Sequence, residues 1–172
     1  MESKAKLLGH PVHPMLIVFP LGLLSTAVIF DIIALSSQAP YLFNAAYWMI
    51  AAGVIGGLIS AVFGLVNWLA IPAGTRAKSI GLWHGAGNLV VTVLFALSWW
   101  LRRPSPDNPS GTALTCSFIA VLIALVTAWL GGELVDRLGV GVDSGAHLNA
   151  PSSLSKEPAA REQERPGTRR AA

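Results

Sequence analysis

Between Asp31 and Arg76 the chain carries no Asp, Glu, Lys or Arg. The gap belongs to a pattern of four apolar runs, at about residues 15–35, 45–71, 81–101 and 112–130, and Asp31 is the only charge inside them. Each run has the ~20 residues that an α-helix needs to cross the ~30 Å hydrocarbon core of a bilayer. Backbone groups inside lipid find no water to bond with, so spans of this kind are helical. The sequence therefore predicts an all-α fold. A four-helix transmembrane bundle should occupy residues 1–143, and a disordered cytoplasmic C-terminal tail residues 144–172.

Composition agrees. Charged residues make up 12% of the chain, about half the ~25% usual in soluble domains. Four spans and a tail within 172 residues leave no room for a separate soluble enzyme domain. The net charge of +3 and pI near 9.4 resemble a nucleic-acid signal. The basic residues, however, sit at span ends and in the tail, which assigns them to membrane orientation and gives no nucleic-acid partner. The first run exceeds the apolar core of a secretory signal peptide and is expected to stay as a true span. Cys116 is the only cysteine, so the chain forms no internal disulfide.

Threaded in order, the N-terminus, the loop at 72–79 and the tail fall on one side and hold ten of the twelve Lys and Arg. The positive-inside bias then places both termini in the cytoplasm. Trp68, Trp83 and Trp129 fall near that interface, and Trp48, Trp99 and Trp100 near the opposite one. Small residues mark the packing faces, since close backbone approach holds helices together in lipid. Candidate stripes are Gly53, Gly57, Ser60 and Gly64 in the second span, Gly81 and Gly85 in the third, and Ala120, Ala124, Ala128 and Gly132 in the fourth. Pro20 should kink the first span. No convincing internal repeat relates the first pair of spans to the second.

Three histidines fall at one depth, on the cytoplasmic side. His10 and His13 flank Pro11 before the first span, where an extended backbone would turn them to the same side. His84 lies about one turn inside the third span, with Asn88 a turn deeper on the same face. Asn67 and Glu133, at the corresponding ends of the second and fourth spans, complete a supporting polar layer. Intramembrane polar groups are costly and usually face the bundle interior, which makes this layer the default site. Three readings are open. A b-type haem between imidazoles is the first, and a divalent transition metal with Glu133 the second. In the third, the histidines are purely structural and the chain is a non-catalytic structural or partner-binding membrane protein. No complete catalytic motif occurs. Asp31, at the far end of the first span, is expected to pair with Arg102 or Arg103.

Several short segments carry a resemblance. They are His10-Pro11-Val12-His13-Pro14, Phe19-Pro20-Leu21-Gly22, Gly64-Leu65-Val66-Asn67-Trp68, Trp83-His84-Gly85 and Gly131-Gly132-Glu133-Leu134-Val135, then Gly139-Val140-Gly141-Val142. Over residues 8–142 the chain resembles an uncharacterised family of bacterial four-span membrane proteins, some of them joined to Rieske-type iron–sulfur domains. The resemblance implies a bacterial inner membrane, the lipid bilayer as surroundings and, with a haem, a redox partner protein. The family implies no activity, and the oligomeric state stays open. Relatives carry a further His near Leu138 that is missing here, so the last segment is not expected to supply a ligand.

Overall fold

The computed structural model describes residues 1–155. Among them, four helices are long and apolar enough to cross a membrane, and short connections join them up, down, up, down. α1 (Val12–Leu16) and α2 (Val18–Ser37) form the first span, broken at Ile17. Pro20 has no N–H for the Leu16 carbonyl and its ring crowds that oxygen, so the helix breaks one turn before the proline. Gln38, left-handed at φ 53°, ends α2, and Pro40 opens α3 (Pro40–Ala70) two residues later. Thr75 caps α4 (Arg76–Arg102), its hydroxyl accepting from the Lys78 N–H at 3.1 Å. Ser110 does the same for α5 (Gly111–Gly132) through the Ala113 N–H at 3.3 Å. A π-helical turn, Glu133–Arg137, follows α5, and Gly139, at φ 61°, lets the chain leave the helix. The four apolar runs are thus the cores of longer helices whose ends are set by caps.

The N-terminus departs from the expected extended approach. β1 (Lys6–Leu7) and β2 (His10–Pro11) pair as a small hairpin. Leu8 at φ 52° and Gly9 at φ 84° make its two-residue turn. His10 therefore sits on a strand and His13 in the first turn of α1, so the two do not share a face. Residues 144–155 carry turns and no regular element, and they rest on this hairpin. The Ser144 hydroxyl donates to Glu2 Oε1 at 3.2 Å, and Ser153 Oγ lies 3.1 Å from His10 Nε2. The rest of the expected tail, residues 156–172, lies outside the described residues.

Each span buries a seam spaced alternately by four and three residues. On α2 it includes Leu24, Ala27 and Asp31, and on α4 Phe95, Ser98 and Arg102. Ala46, Ile50, Gly53 and Ser60 form it on α3, and Ala113, Ser117, Ala120 and Thr127 on α5. A repeat of this period winds neighbouring helices into a left-handed bundle. It also corrects the expected stripes on α4, where Gly85 meets no neighbour, and on α5, where Ala128 is exposed and Gly132 meets none, because a strict spacing of four drifts off the seam.

Compared position by position, these seams overturn the expectation of no internal repeat. Leu24, Ala27 and Asp31 correspond to Phe95, Ser98 and Arg102, each 71 residues further on. Ala46, Ile50, Gly53 and Ser60 correspond to Ala113, Ser117, Ala120 and Thr127, each 67 residues further on. Every residue named is buried. The bundle is two like helical hairpins, α1–α3 and α4–α5, with their packing faces in register. Both first helices start at the same end of the bundle, so the halves are parallel repeats about an axis along the helices.

Candidate functional site: two repeat-related histidines and a buried ion pair

The repeat puts His13 and His84 at corresponding positions, and their surroundings correspond as well. His13 Nδ1 lies 2.9 Å from the Ser60 carbonyl oxygen on α3, and His84 Nδ1 lies 2.9 Å from the Thr127 carbonyl oxygen on α5. Ser60 and Thr127 are themselves a repeat pair. A Cβ on Gly64 would meet His13 Cε1 at 2.9 Å, and one on Gly131 would meet His84 Cε1 at 3.0 Å. Both rings lie edge-on against a glycine that only a missing side chain makes room for. The Ser60 hydroxyl adds a second contact to His13 Nδ1, at 3.1 Å.

These bonds fix the tautomer. A carbonyl oxygen only accepts, so the proton of each ring sits on Nδ1 and the Nε2 lone pair is left as an acceptor or ligand. Histidines that bind metal are oriented in this way, by donating the other ring N–H to a carbonyl or carboxylate. Both rings are half-buried.

Asn88 belongs to the second hairpin alone. Its amide donates to the His84 carbonyl at 2.9 Å and its oxygen accepts from the Thr127 hydroxyl at 3.1 Å. The same amide nitrogen is 3.3 Å from His84 Nε2 and 3.5 Å from the protonated Nδ1, nearly equidistant, so it is not aimed along the Nε2 lone pair. The other members of the expected layer are engaged elsewhere. Asn67 Oδ1 accepts from the Ser3 hydroxyl at 2.8 Å and the Lys4 N–H at 3.1 Å, anchoring the N-terminal segment. Glu133 accepts from Arg76 at 2.6 Å, which ties the end of α5 to the start of α4. His10, exposed on its hairpin, meets Ser153. Among the described residues no group of three or more His, Cys, Asp or Glu could hold a metal ion. Of the expected site residues, His13 and His84 are the two that stand in equivalent surroundings.

The other end of the bundle holds the ion pair. Arg102 Nη1 donates to Asp31 Oδ1 at 2.8 Å and Nη2 to Asp31 Oδ2 at 2.6 Å, a two-pronged bridge with both side chains fully buried. Arg103 instead lies over the Trp100 ring at 4.6 Å. Two serines that the sequence reading did not single out complete the arginine's bonds. Arg102 Nε donates to Ser98 Oγ at 3.2 Å and Nη2 to Ser117 Oγ at 3.3 Å. Ser98 in turn donates to the Ala113 carbonyl at 2.7 Å. Ser60, Gly64, Thr127 and Gly131 also escaped the reading as partners of the histidines. Their signal is the four–three seam matched between hairpins, which needs one offset for the first helices and another for the second.

No curated protein and no solved structure matches the chain. Over residues 9–144 it matches the family described as "Predicted membrane protein (DUF2231)", and it belongs to that family of membrane proteins.

Proposed function

We propose that this protein is an inner-membrane module that holds one redox-active metal group between His13 and His84, in the cytoplasmic leaflet and with both termini in the cytoplasm. The observation that supports this reading is the pair of Nδ1–H bonds to carbonyls at repeat-equivalent positions, which turns two Nε2 lone pairs toward ligation. Two imidazoles would suit a b-type haem better than a bare divalent metal, which would need further protein ligands. His13 and His84 would hold the group, which would supply one-electron chemistry, and Asn88 would hold the second ring in place. The group would carry an electron to or from a redox partner protein near the cytoplasmic face. No histidine lies at the far end of the bundle among the described residues, so a second haem held by paired histidines has no ligands there.

One observation favours a second reading. Each imidazole bonds a carbonyl on the next helix of its own hairpin, so each also clips that hairpin together. On that reading the histidines are structural and the chain is a non-catalytic partner-binding protein.

The full chain, expressed with ample haem precursor, iron, zinc and copper and purified in detergent, separates the two. A Soret band that is lost in His84→Ala and in His13→Ala, with helicity retained, supports the redox reading. A colourless wild-type protein free of metal by elemental analysis overturns it and leaves the structural one.

A further inference from the structure

Asp31 and Arg102 occupy the same position of the two repeats, 71 residues apart, and they touch. Groups at equivalent positions of a two-fold repeat meet only where they straddle the axis that relates the halves. The bridge therefore sits on that axis, toward one end of the surface by which one hairpin mates with the other. Around it both surfaces carry small side chains, Ala27 and Ala46 on the first hairpin and Ala113 and Ala120 on the second. Shape separates the two at Leu24 against Phe95 and Ile50 against Ser117, and the sign of charge separates them at Asp31 against Arg102.

We propose that the Asp31–Arg102 pair is the element that makes this mating surface choose the unlike hairpin. The partner it refuses is the like hairpin of a second copy of this chain. Two first hairpins would set Asp31 against Asp31, and two second hairpins Arg102 against Arg102. In a site with no exposed surface, like charges at hydrogen-bonding distance have no water to screen them. The serines sharpen the choice. Ser98 and Ser117 bond the guanidinium, whereas their counterparts Ala27 and Ile50 offer nothing to a second cation. Buried ionic groups used in this way set pairing more than they add stability, since an apolar pair of similar volume is often as stable.

That distinction gives the test, made on full-length protein by light scattering and by unfolding in detergent. The apolar pair Asp31→Leu with Arg102→Met should unfold at or above the wild-type midpoint but distribute over species larger than the wild-type one. The exchanged pair Asp31→Arg with Arg102→Asp, made together with Ala27→Ser and Ser98→Ala so that a serine moves with the guanidinium, should keep the wild-type mass. Asp31→Arg alone, with two cations at the axis, should give no species of that mass. An apolar pair that stays monodisperse at the wild-type mass overturns the proposal. An apolar pair that fails to fold also overturns it, by assigning the bridge to stability. An exchanged pair that scatters into the same oligomers as the apolar one removes charge sign as the selector.

Discussion

The two hairpins share one scaffold and differ in what they bury along it. Along its first span, the first hairpin places His13, Ile17 at the break, Leu24, Ala27 and Asp31, while α4 places His84, Asn88, Phe95, Ser98 and Arg102 at the same positions. On the second helices Ile50 faces Ser117 as its counterpart. The histidines and their carbonyl and glycine partners are kept on both sides, and polar side chains are added only on the second. The shared part is the geometry that seats an imidazole between helices, and the unshared part holds a guanidinium in a dry site. Buried polar groups stand only when their bonds are met, so Arg102 requires the serines and Asp31 requires Arg102.

Breaking that dependence should produce the largest effect. Arg102→Leu leaves Asp31 buried and unpaired and should cost about 3–5 kcal/mol in reversible unfolding from micelles. Ser98→Ala, which removes one bond of several, should cost about 1 kcal/mol. Equal losses for the two would mean that the bridge is hydrated and that the difference between hairpins has no energetic weight.

The histidines test the shared part. His13→Ala and His84→Ala each lose an interhelical bond and leave a gap against glycine, and each should destabilise by about 1–3 kcal/mol. His84→Ala should be the worse, because Asn88 and Thr127 are bonded around that ring and nothing comparable surrounds His13 apart from the Ser60 hydroxyl. A larger loss at His13 would invert the comparison.

How much of this was legible in the sequence follows from which signals are local. Span number and extent come from runs of apolar residues, which each helix carries by itself. Asp31 drew attention because a lone carboxylate at a helix C-terminus wants a cation. The choice between Arg102 and Arg103 depends on which one faces the seam, and adjacent residues on a helix point about 100° apart. The repeat was hidden because the four residues of difference between the helix offsets break any single alignment. Only His13/His84, Ala46/Ala113, Gly64/Gly131 and a few aliphatic pairs survive as identities. The polar layer failed at Asn67 and Glu133 for another reason. Equal depth says nothing of direction, and the two bond Ser3 of the N-terminal segment and Arg76 at the start of α4.

Glycines allow a finer comparison, because Gly131 and Gly132 are neighbours in sequence with opposite surroundings. Gly64→Ala and Gly131→Ala drive a methyl into His13 and His84 and should each cost about 1–3 kcal/mol by overpacking. Gly132→Ala meets nothing within 4 Å and should be neutral or gain up to about 1 kcal/mol from helix propensity. Thermal unfolding of the three variants checks the signs. A loss at Gly132 as large as at Gly131 would mean that the seam does not run where the repeat places it.

The smallest effect lies outside the bundle, where the N-terminal segment meets the chain leaving α5. Glu2 is held by Lys6, first through their hydrogen bond and then through charge, with Ser144 adding bonds, and its carboxyl titrates below the ordinary glutamate range. A carboxylate depressed in the folded state favours that state most above its ordinary pKa and loses the advantage as pH falls through the lowered value. The contact is thus intact at neutral pH and released only in acid. Glu2 is fully exposed, so water and salt screen most of the interaction. Glu2→Gln should accordingly leave the unfolding midpoint of the bundle unchanged at pH 7. It should still speed hydrogen exchange at the Gly141 amide, which bonds the Met1 carbonyl at 2.8 Å beside this contact. Added salt should bring the wild-type exchange rate toward that of the variant. If Glu2→Gln instead lowered the midpoint as much as His13→Ala does, the N-terminal segment would belong to the structural core of the first hairpin, and the comparison between hairpins would have to include it.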